Sequence, residues 1–249
     1  NINSSFAWCL VAKQEVFFLP LLDMARYIRA FIEDSPENEG DEVLLAKDEG
    51  SHLSRVLRIQ QGDAVELLDG KGGRFASKCL EVDRNQVRVG ISKIEKVAPC
   101  NTQTRMAIAL GKGNKWEEII RPLTELGINR LTPLKTERTE GAFSGVKLKD
   151  KKERWLKIAR EACKQSGNPW LPVFDSPIDF QELIKSPEAG EERWMASLTS
   201  GMRTESMGKA ANLLSIFIGP EGGWSEREEA QAKEVGLSFL SLGAYTLRL

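Results

Sequence analysis

Histidine is all but missing from this chain: His52 is the only one in 249 residues. A Ser-His-Asp relay needs a histidine beside its nucleophile, and a histidine metal centre needs several. With one histidine, in the N-terminal half, neither chemistry is expected within a single chain. Cysteine is sparse too. Cys9, Cys79, Cys100 and Cys163 lie far apart with no C-x-x-C spacing, which argues against a disulfide scaffold and a cysteine zinc site and points to a reducing cytoplasm. No metal is expected. Excess charge is also lacking: 35 Lys and Arg against 36 Asp and Glu give a net charge of −1, so any role on nucleic acid must rest on a local basic face.

Long apolar runs are absent as well. Residues 1–23 hold two short apolar runs split by Lys13, Gln14 and Glu15, with no basic lead and nothing long enough to span a bilayer. They read as neither a signal peptide nor a membrane helix. Met24 followed by ARYIRAF reads as a natural start, with residues 1–23 an upstream or non-native segment. Phosphate fingerprints fail too. G-x-x-x-x-G-K-[ST] does not occur, and GKGNKW (residues 111–116) misses G-x-G-x-x-G because Trp116 stands at the third glycine position.

What is present divides by texture. Residues 24–97 carry short alternating runs (DEVLLA, DAVELLDG, GRFASKCLEV, NQVRVGISKIE) between Gly, Asp and Asn turn signals, the pattern of a small β barrel or sandwich. VAPCNTQT, with Pro99, reads as a linker ending at 104. From 105 on, strands alternate with helices. RMAIALG is strand-like, and Trp116, Ile119, Ile120 and Leu123 recur at helical spacing before Gly127. INRLTPL is the next strand, Trp155, Ile158, Ala159 and Ala162 mark a helix ending near Gly167, and RWMASL, LLSIFIG and LSFLSLG are further apolar runs. That alternation implies an α/β domain with a mostly parallel sheet. Pro122, inside the first helix, should kink it or remove a hydrogen bond.

The stretch IGPEGGWSEREEA (residues 218–230) takes the chain from a strand end to a helix start. Ser225 followed by Glu228 is a capping-box pattern, and open α/β sheets bind ligands beyond the carboxyl ends of their strands. The glycines permit close approach of a ligand; a plain tight turn is the competing reading. Glu221, with no basic residue before Arg227, disfavours a phosphate. A ligand cationic at its reactive atom fits better, and S-adenosylmethionine, a sulfonium with an adenosine, is one.

Several segments together carry a family resemblance: RYIRAF, HLSRVLRIQQGD (52–63), LLDGKGGRF, ALGKGNKWEEIIRPLTELGINRLTPLKTERT, RWLKIAREACKQSGNPWLP, IGPEGGWSEREEA and LSLGAYTLRL. In this order and spacing, from Met24 to the last residue, the chain resembles the bacterial ribosomal RNA small subunit methyltransferase E family of the SPOUT superfamily. The resemblance implies a PUA-like RNA-binding β-barrel domain at 24–97, a linker at 98–104 and a SPOUT methyltransferase domain at 105–249 whose C-terminal segment forms a trefoil knot. It implies S-adenosylmethionine as cofactor, N3 of a uridine in 16S rRNA of the small ribosomal subunit as target, and a homodimer. The family continues past LR into a final helix that this sequence does not contain.

By the same resemblance, Ile218, Gly219, Pro220, Glu221, Gly222 and Gly223, with Leu242, Gly243, Leu247 and Arg248, wrap the cofactor, and Leu198 supplies a third wall; the apolar ones could equally be core. Arg26, Arg29, His52, Arg55 and Arg58 are candidates for RNA contact, although Arg55 and Arg58 also read as solvated charges at helical spacing. Lys112, Lys115, Gln165 with Ser166, and the basic run Lys147, Lys149, Lys151, Lys152, Arg154, Lys157 and Arg160 join them, a solvated helix face being the alternative. Uracil N3 must lose a weakly acidic proton, so a base or an anion-stabilising cation is needed. Arg138 could stabilise the anion and Glu221 could take the proton or face the sulfonium. Alternatively Arg138 pairs with Glu137 on the surface, and Glu221 favours a helix N-terminus. An RNA-binding protein with a degenerate, non-catalytic knotted domain is the second function class.

Overall fold

The structure is a computed structural model, and it describes residues 28–111, 115–139, 146–197 and 211–241, without the side chains of Val146 and Lys147. Contacts divide the chain into two units. Of the described residues, one comprises those from 28 to 99 with Ala159–Leu171, the other those from 100 to 158 and from 172 to 241.

The N-terminal unit is a curled five-stranded sheet in the order β1-β3-β4-β5-β2, formed by β1 (Arg29–Phe31), β2 (Glu42–Leu44), β3 (Ala64–Leu68), β4 (Gly73–Val82) and β5 (Val87–Lys96). Period-two alternation decides which side is core: Phe75, Ser77 and Cys79 of β4 and Val87, Val89 and Ile91 of β5 are buried while their neighbours face outward. Between β2 and β3 lies a helix that the alternating texture does not foretell. This is α1 (Lys47–Ser51), continuing as a π-helical turn over His52–Leu57 and stopped by Arg58 in the left-handed region at φ 54°. Its Leu53 is fully buried in the sheet's core. Gly50 makes that packing possible, since a Cβ there would lie 3.0 Å from the Asn85 carbonyl and 3.2 Å from the Val87 nitrogen.

This unit extends beyond the boundary at 97 read from the sequence, because Ala159–Leu171 belongs to it. The reason is packing: Cys163 joins Phe31, Leu68 and Leu171 in a small core. The glycine-rich turn after β3 accepts the strip backbone to backbone, with Leu171 N donating to Gly70 O at 3.0 Å and Gly72 N to Pro169 O at 3.0 Å. Asp69 shapes that turn, accepting from the nitrogens of Lys71 at 2.7 Å and Gly73 at 2.8 Å. Burial pushes the Cys163 thiol up to about 12.

The second unit is built on a parallel sheet in the order β12-β10-β11-β6-β7-β8, with β9 also on β7. Its strands are β6 (Gln103–Ala109), β7 (Arg130–Lys135), β8 (Val173–Phe174), β9 (Ile178–Asp179), β10 (Glu191–Ala196), β11 (Leu213–Ile218) and β12 (Ser238–Leu240). Between them lie α2 (Lys115–Glu125), α3 (Val146–Ser166), whose residues from Ala159 on belong to the N-terminal unit, α4 (Phe180–Lys185) and α5 (Glu226–Glu234). Gly127 at φ +79° and Gly167 at φ +78° end α2 and α3 as expected. Helix α2 runs on through Pro122. Phe180, Phe217 and Trp224 form one aromatic cluster of the core, and Trp116, Trp155 and Phe174 form another. At the start of β6, the buried Arg105 pairs with the equally buried Glu191 at 3.1 Å. Burial would raise the pKa of the neighbouring Glu188, but Arg105 and then Arg130 outweigh it and hold that carboxyl below its usual range.

Candidate active site

Strand β6 is the topological switch point of the sheet: β7 and β8 lie to one side of it, and β11, β10 and β12 to the other. Loops leaving neighbouring strands at such a point open a crevice beyond their carboxyl ends. Here the two loops are the one after β6 and the one after β11, which is residues 219–225.

The β11 loop is held by its own side chains. Gly223 N donates to Pro220 O at 2.8 Å, closing a turn whose last residue is left-handed at φ +71°, a conformation that favours glycine. The indole of Trp224 donates to Ala196 O at 2.8 Å, at the end of neighbouring β10, and its ring lies 4.8 Å from that of Phe180. The indole leaves no room at Gly219, where a Cβ would come within 2.9 Å of Trp224 Nε1 and Cε2. Ser225 then caps α5. Its hydroxyl accepts from Glu228 N at 3.1 Å, and Ser225 N donates to Glu228 Oε2 at 2.9 Å, the complete capping box.

Glu228 also makes a bond that the spacing does not reveal. Its second carboxylate oxygen accepts from Glu137 N at 2.9 Å, and the residue is 1% exposed. The loop after β7 is thereby tied to the loop after β11. It is itself a closed turn, with Thr136 N donating to Thr139 Oγ1 at 2.9 Å and Thr139 N to Thr136 O at 3.1 Å. Arg138 completes the tie by donating from Nη1 to Gly222 O at 2.5 Å. Its guanidinium is thus engaged by the glycine turn, and the nearest basic contact of Glu137 is Arg227 at 3.8 Å.

On the β6 side, a pocket opens between the two loops. The ends of β6 (Ile108, Ala109) and Gly111, the first turn of α2 (Lys115, Trp116, Glu118, Ile119) and Pro220 with Glu221 line it. Lys115 and Glu221 form an ion pair there. The structure therefore brings together Arg138, Glu221, Lys115 and the turn at 218–223. Leu198, Leu242, Gly243, Leu247, Arg248, Arg26 and Lys112 lie outside the described residues. So does the knot expected of the C-terminal segment.

The other expected RNA contacts fall in the N-terminal unit. His52, Arg55 and Arg58 are exposed on and after the π-helical turn, where Arg55 Nε donates to Arg84 O at 3.3 Å. Arg29 has a structural engagement: it pairs with Glu66 at 2.5 Å and donates to the carbonyls of Lys164 at 3.0 Å and Gln165 at 3.1 Å. The Gln165 side chain is exposed, and Ser166 Oγ donates to Ala162 O at 2.8 Å. Of the basic run, Lys149, Arg154 and Lys157 are exposed, with Arg154 on Glu117 at 2.7 Å, while Lys152 donates to Ser176 at 3.2 Å and Arg160 pairs with Glu33 at 3.1 Å. Among the described residues no group of His, Cys, Asp and Glu is arranged to hold a metal, and no helix is long and apolar enough to cross a membrane.

A parallel sheet with a braced glycine turn at its switch point, in a chain that also carries a curled β unit, defines the class. The chain belongs to the RNA methyltransferase family, whose RNA methyltransferase domain matches residues 98–249 and whose RNA methyltransferase PUA domain matches residues 45–92. The fold is of the SPOUT type. Within that family the chain falls among the ribosomal RNA small subunit methyltransferase E proteins. The one from Synechocystis sp. is 36% identical over 203 residues, which are 79% of this chain and 65% of that protein. The one from Bacillus subtilis is 30% identical over 234 residues, 88% of this chain and 90% of that protein. Among solved structures, a methyltransferase from Legionella pneumophila in complex with bound cofactor SAM is 27% identical with a TM-score of 0.81, the match covering 90% of this chain and 92% of that one.

Proposed function

We propose that the chain transfers the methyl group of S-adenosylmethionine to N3 of a specific uridine in the 16S rRNA of the small ribosomal subunit, acting in the cytoplasm as a homodimer. The single observation that carries this reading is the turn at 219–223. It is fixed by Trp224, Glu228 and Arg138 at the carboxyl edge of a parallel sheet, the place where such sheets bind nucleotides. The relatives named as small subunit rRNA methyltransferases, and the SAM-bound Legionella structure, support it.

The residues present suit that cofactor. A Cβ at Gly223 would meet nothing within 4 Å, so the turn leaves open space beside its backbone. The side chain it offers is the carboxylate of Glu221, which favours a sulfonium and repels a phosphate. When bound, S-adenosylmethionine supplies an electrophilic methyl group. The chain's own residues hold and orient: Ile218, Gly219, Pro220, Gly222 and Gly223 form one wall, Leu242, Gly243, Leu247 and Arg248 of a knotted C-terminal segment would form the second, and Leu198, which follows β10, the third. Arg138, braced against Gly222, keeps the wall in place and lies where it could also face the substrate. Glu221 takes up the N3 proton. In the N-terminal unit His52, Arg55 and Arg58 are the RNA-contacting residues, with Arg26 and Gln165 added by the family resemblance, while Arg29 is held by Glu66 and the carbonyls of Lys164 and Gln165; Lys112 and Lys115 contact RNA from the second unit.

The test is transfer of radiolabelled methyl groups to small ribosomal subunits lacking the modification, followed by nucleoside mass spectrometry. One N3-methyluridine per 16S rRNA supports the proposal. Cofactor binding without any methyl transfer would leave the RNA-binding, non-catalytic reading instead.

A further inference from the structure

Arg138 is the cation that sequence reasoning offers for the uracil anion, yet its guanidinium donates to the Gly222 carbonyl. Another cation stands in the pocket. Lys115 opens α2 and is paired with Glu221 at the carboxyl ends of β6 and β11, and the two side chains remain 43% and 51% exposed. So exposed a pair contributes little stability and can be exchanged at small cost. The pocket behind it is walled by Ile108, Ile119 and Pro220 and by the indole of Trp116. Trp116 is 3% exposed, and its indole N–H is buried without an acceptor. A slot with largely apolar walls, the Glu118 carboxylate on its lining and one exchangeable ammonium at its mouth complements a flat ring bearing carbonyl oxygens and a weakly acidic N–H between them. A uracil is such a ring.

We propose that this pocket receives the target uracil and that Lys115 is the catalytic cation, released from Glu221 when the base enters. The inference rests on the uracil-N3 reading above and assigns the substrate side of that site. As the base enters, the Lys115 ammonium passes from the Glu221 carboxylate to a ring carbonyl oxygen flanking N3. The N3–H bond breaks, its proton goes to the freed Glu221 carboxylate, and the charge left on the N3–C–O system lies against Lys115. The N3 electron pair forms the new bond to the methyl carbon. The carbon–sulfur bond breaks with both electrons remaining on sulfur, leaving a neutral thioether. Glu221 then returns its proton to solvent, and the ion pair re-forms. Arg138 is in this scheme a positioning residue that holds Gly222.

The experiment compares wild type, Lys115→Met and Lys115→Arg in methyl transfer to small subunits, alongside S-adenosylmethionine binding by calorimetry and thermal unfolding. The result expected for Lys115→Met is a fall in kcat of at least 100-fold, with cofactor Kd within about twofold of wild type and unfolding unchanged. Its kcat should keep rising with pH where that of wild type has levelled off, because the imide anion must form unaided. Lys115→Arg should recover to within about tenfold of wild type. A Lys115→Met enzyme with kcat within threefold of wild type, or with only KM raised, overturns the inference and leaves Lys115 a backbone contact. Wild-type protein that transfers no methyl group at all overturns the uracil-N3 reading and this inference with it, which separates the two failures.

Discussion

Gly219→Ala tests the loop that the proposed function depends on. The added Cβ would lie 2.9 Å from Trp224 Nε1 and Cε2 and 3.1 Å from Cδ2. The indole cannot simply yield, because it is fixed at one edge by its bond to Ala196 O and faces Phe180 at 4.8 Å. Overpacking of this kind costs about 1–3 kcal/mol, and losing the indole bond would add about 1 kcal/mol. For a chain of this size that corresponds to a fall in Tm of roughly 5–10 °C. Because the struck indole fixes the turn that holds the cofactor, S-adenosylmethionine should also bind about 10- to 100-fold more weakly, at 1.4 kcal/mol per factor of ten. A double-mutant cycle with Trp224→Leu, read by calorimetry and chemical unfolding, isolates the cause. In that background the struck ring atoms are gone, so Gly219→Ala should cost at least about 1 kcal/mol less than in wild type. Equal costs in both backgrounds would refute the steric reasoning. Gly223→Ala is the contrast: its Cβ would meet nothing, so only the left-handed backbone is charged, about 1–2 kcal/mol, with no relief from Trp224→Leu.

Four further outcomes are expected. Gly50→Ala should destabilise the N-terminal unit by about 1–3 kcal/mol in urea unfolding, because contact with the Asn85–Val87 backbone outweighs the roughly 1 kcal/mol that alanine gains in a helix; a stabilised variant would contradict that packing. Glu191→Ala removes the buried one of Arg105's two carboxylate partners, Glu188 remaining, and should cost about 1–3 kcal/mol in unfolding, with cofactor Kd unchanged because the pair sits at the opposite end of β6 from the site. At pH 8 the exposed Cys100 should react with a thiol reagent at once, whereas Cys79 and Cys163 should react only on unfolding. The sign of the pH dependence follows from Cys163. With its folded pKa near 12 and a reference value of 9.0, the folded chain keeps a proton that the unfolded chain loses, so stability should fall above pH 9, by at most about 1.4 kcal/mol per unit until pH 12. Unfolding free energies that hold level or rise from pH 9 to 11 would contradict the burial of that thiol.

Local signals in the sequence carry as far as local interactions do. The alternation in β4 and β5, the glycines that stop α2 and α3, and the Ser225–Glu228 capping box are legible because each is a contact within a few residues, fixed by strand or helix period. What escapes is non-local. Glu228 reads as a capping residue, but nothing in its neighbourhood says that its other oxygen holds Glu137, 91 residues away. Trp224 reads as an apolar residue in a turn, and its hold on Ala196 depends on β10 lying beside β11. Arg29 looks like a free basic group until Glu66 and the end of α3 are placed around it. The short helix α4 is too brief for a period to show, and the helix at Lys47–Leu57 is hidden among strand-like runs. Lys115 and Glu221, more than a hundred positions apart, meet only because β6 and β11 are neighbours in the sheet.

Calorimetric titration of S-adenosylmethionine into the purified chain tests the central claim most directly, because the proposed chemistry begins with that cofactor held by the turn at 219–223. Saturable binding that weakens at least tenfold in Gly219→Ala is the result expected. Absence of binding to the wild-type chain, or binding indifferent to Gly219→Ala, would contradict the assignment and leave the turn a structural connection between β11 and α5.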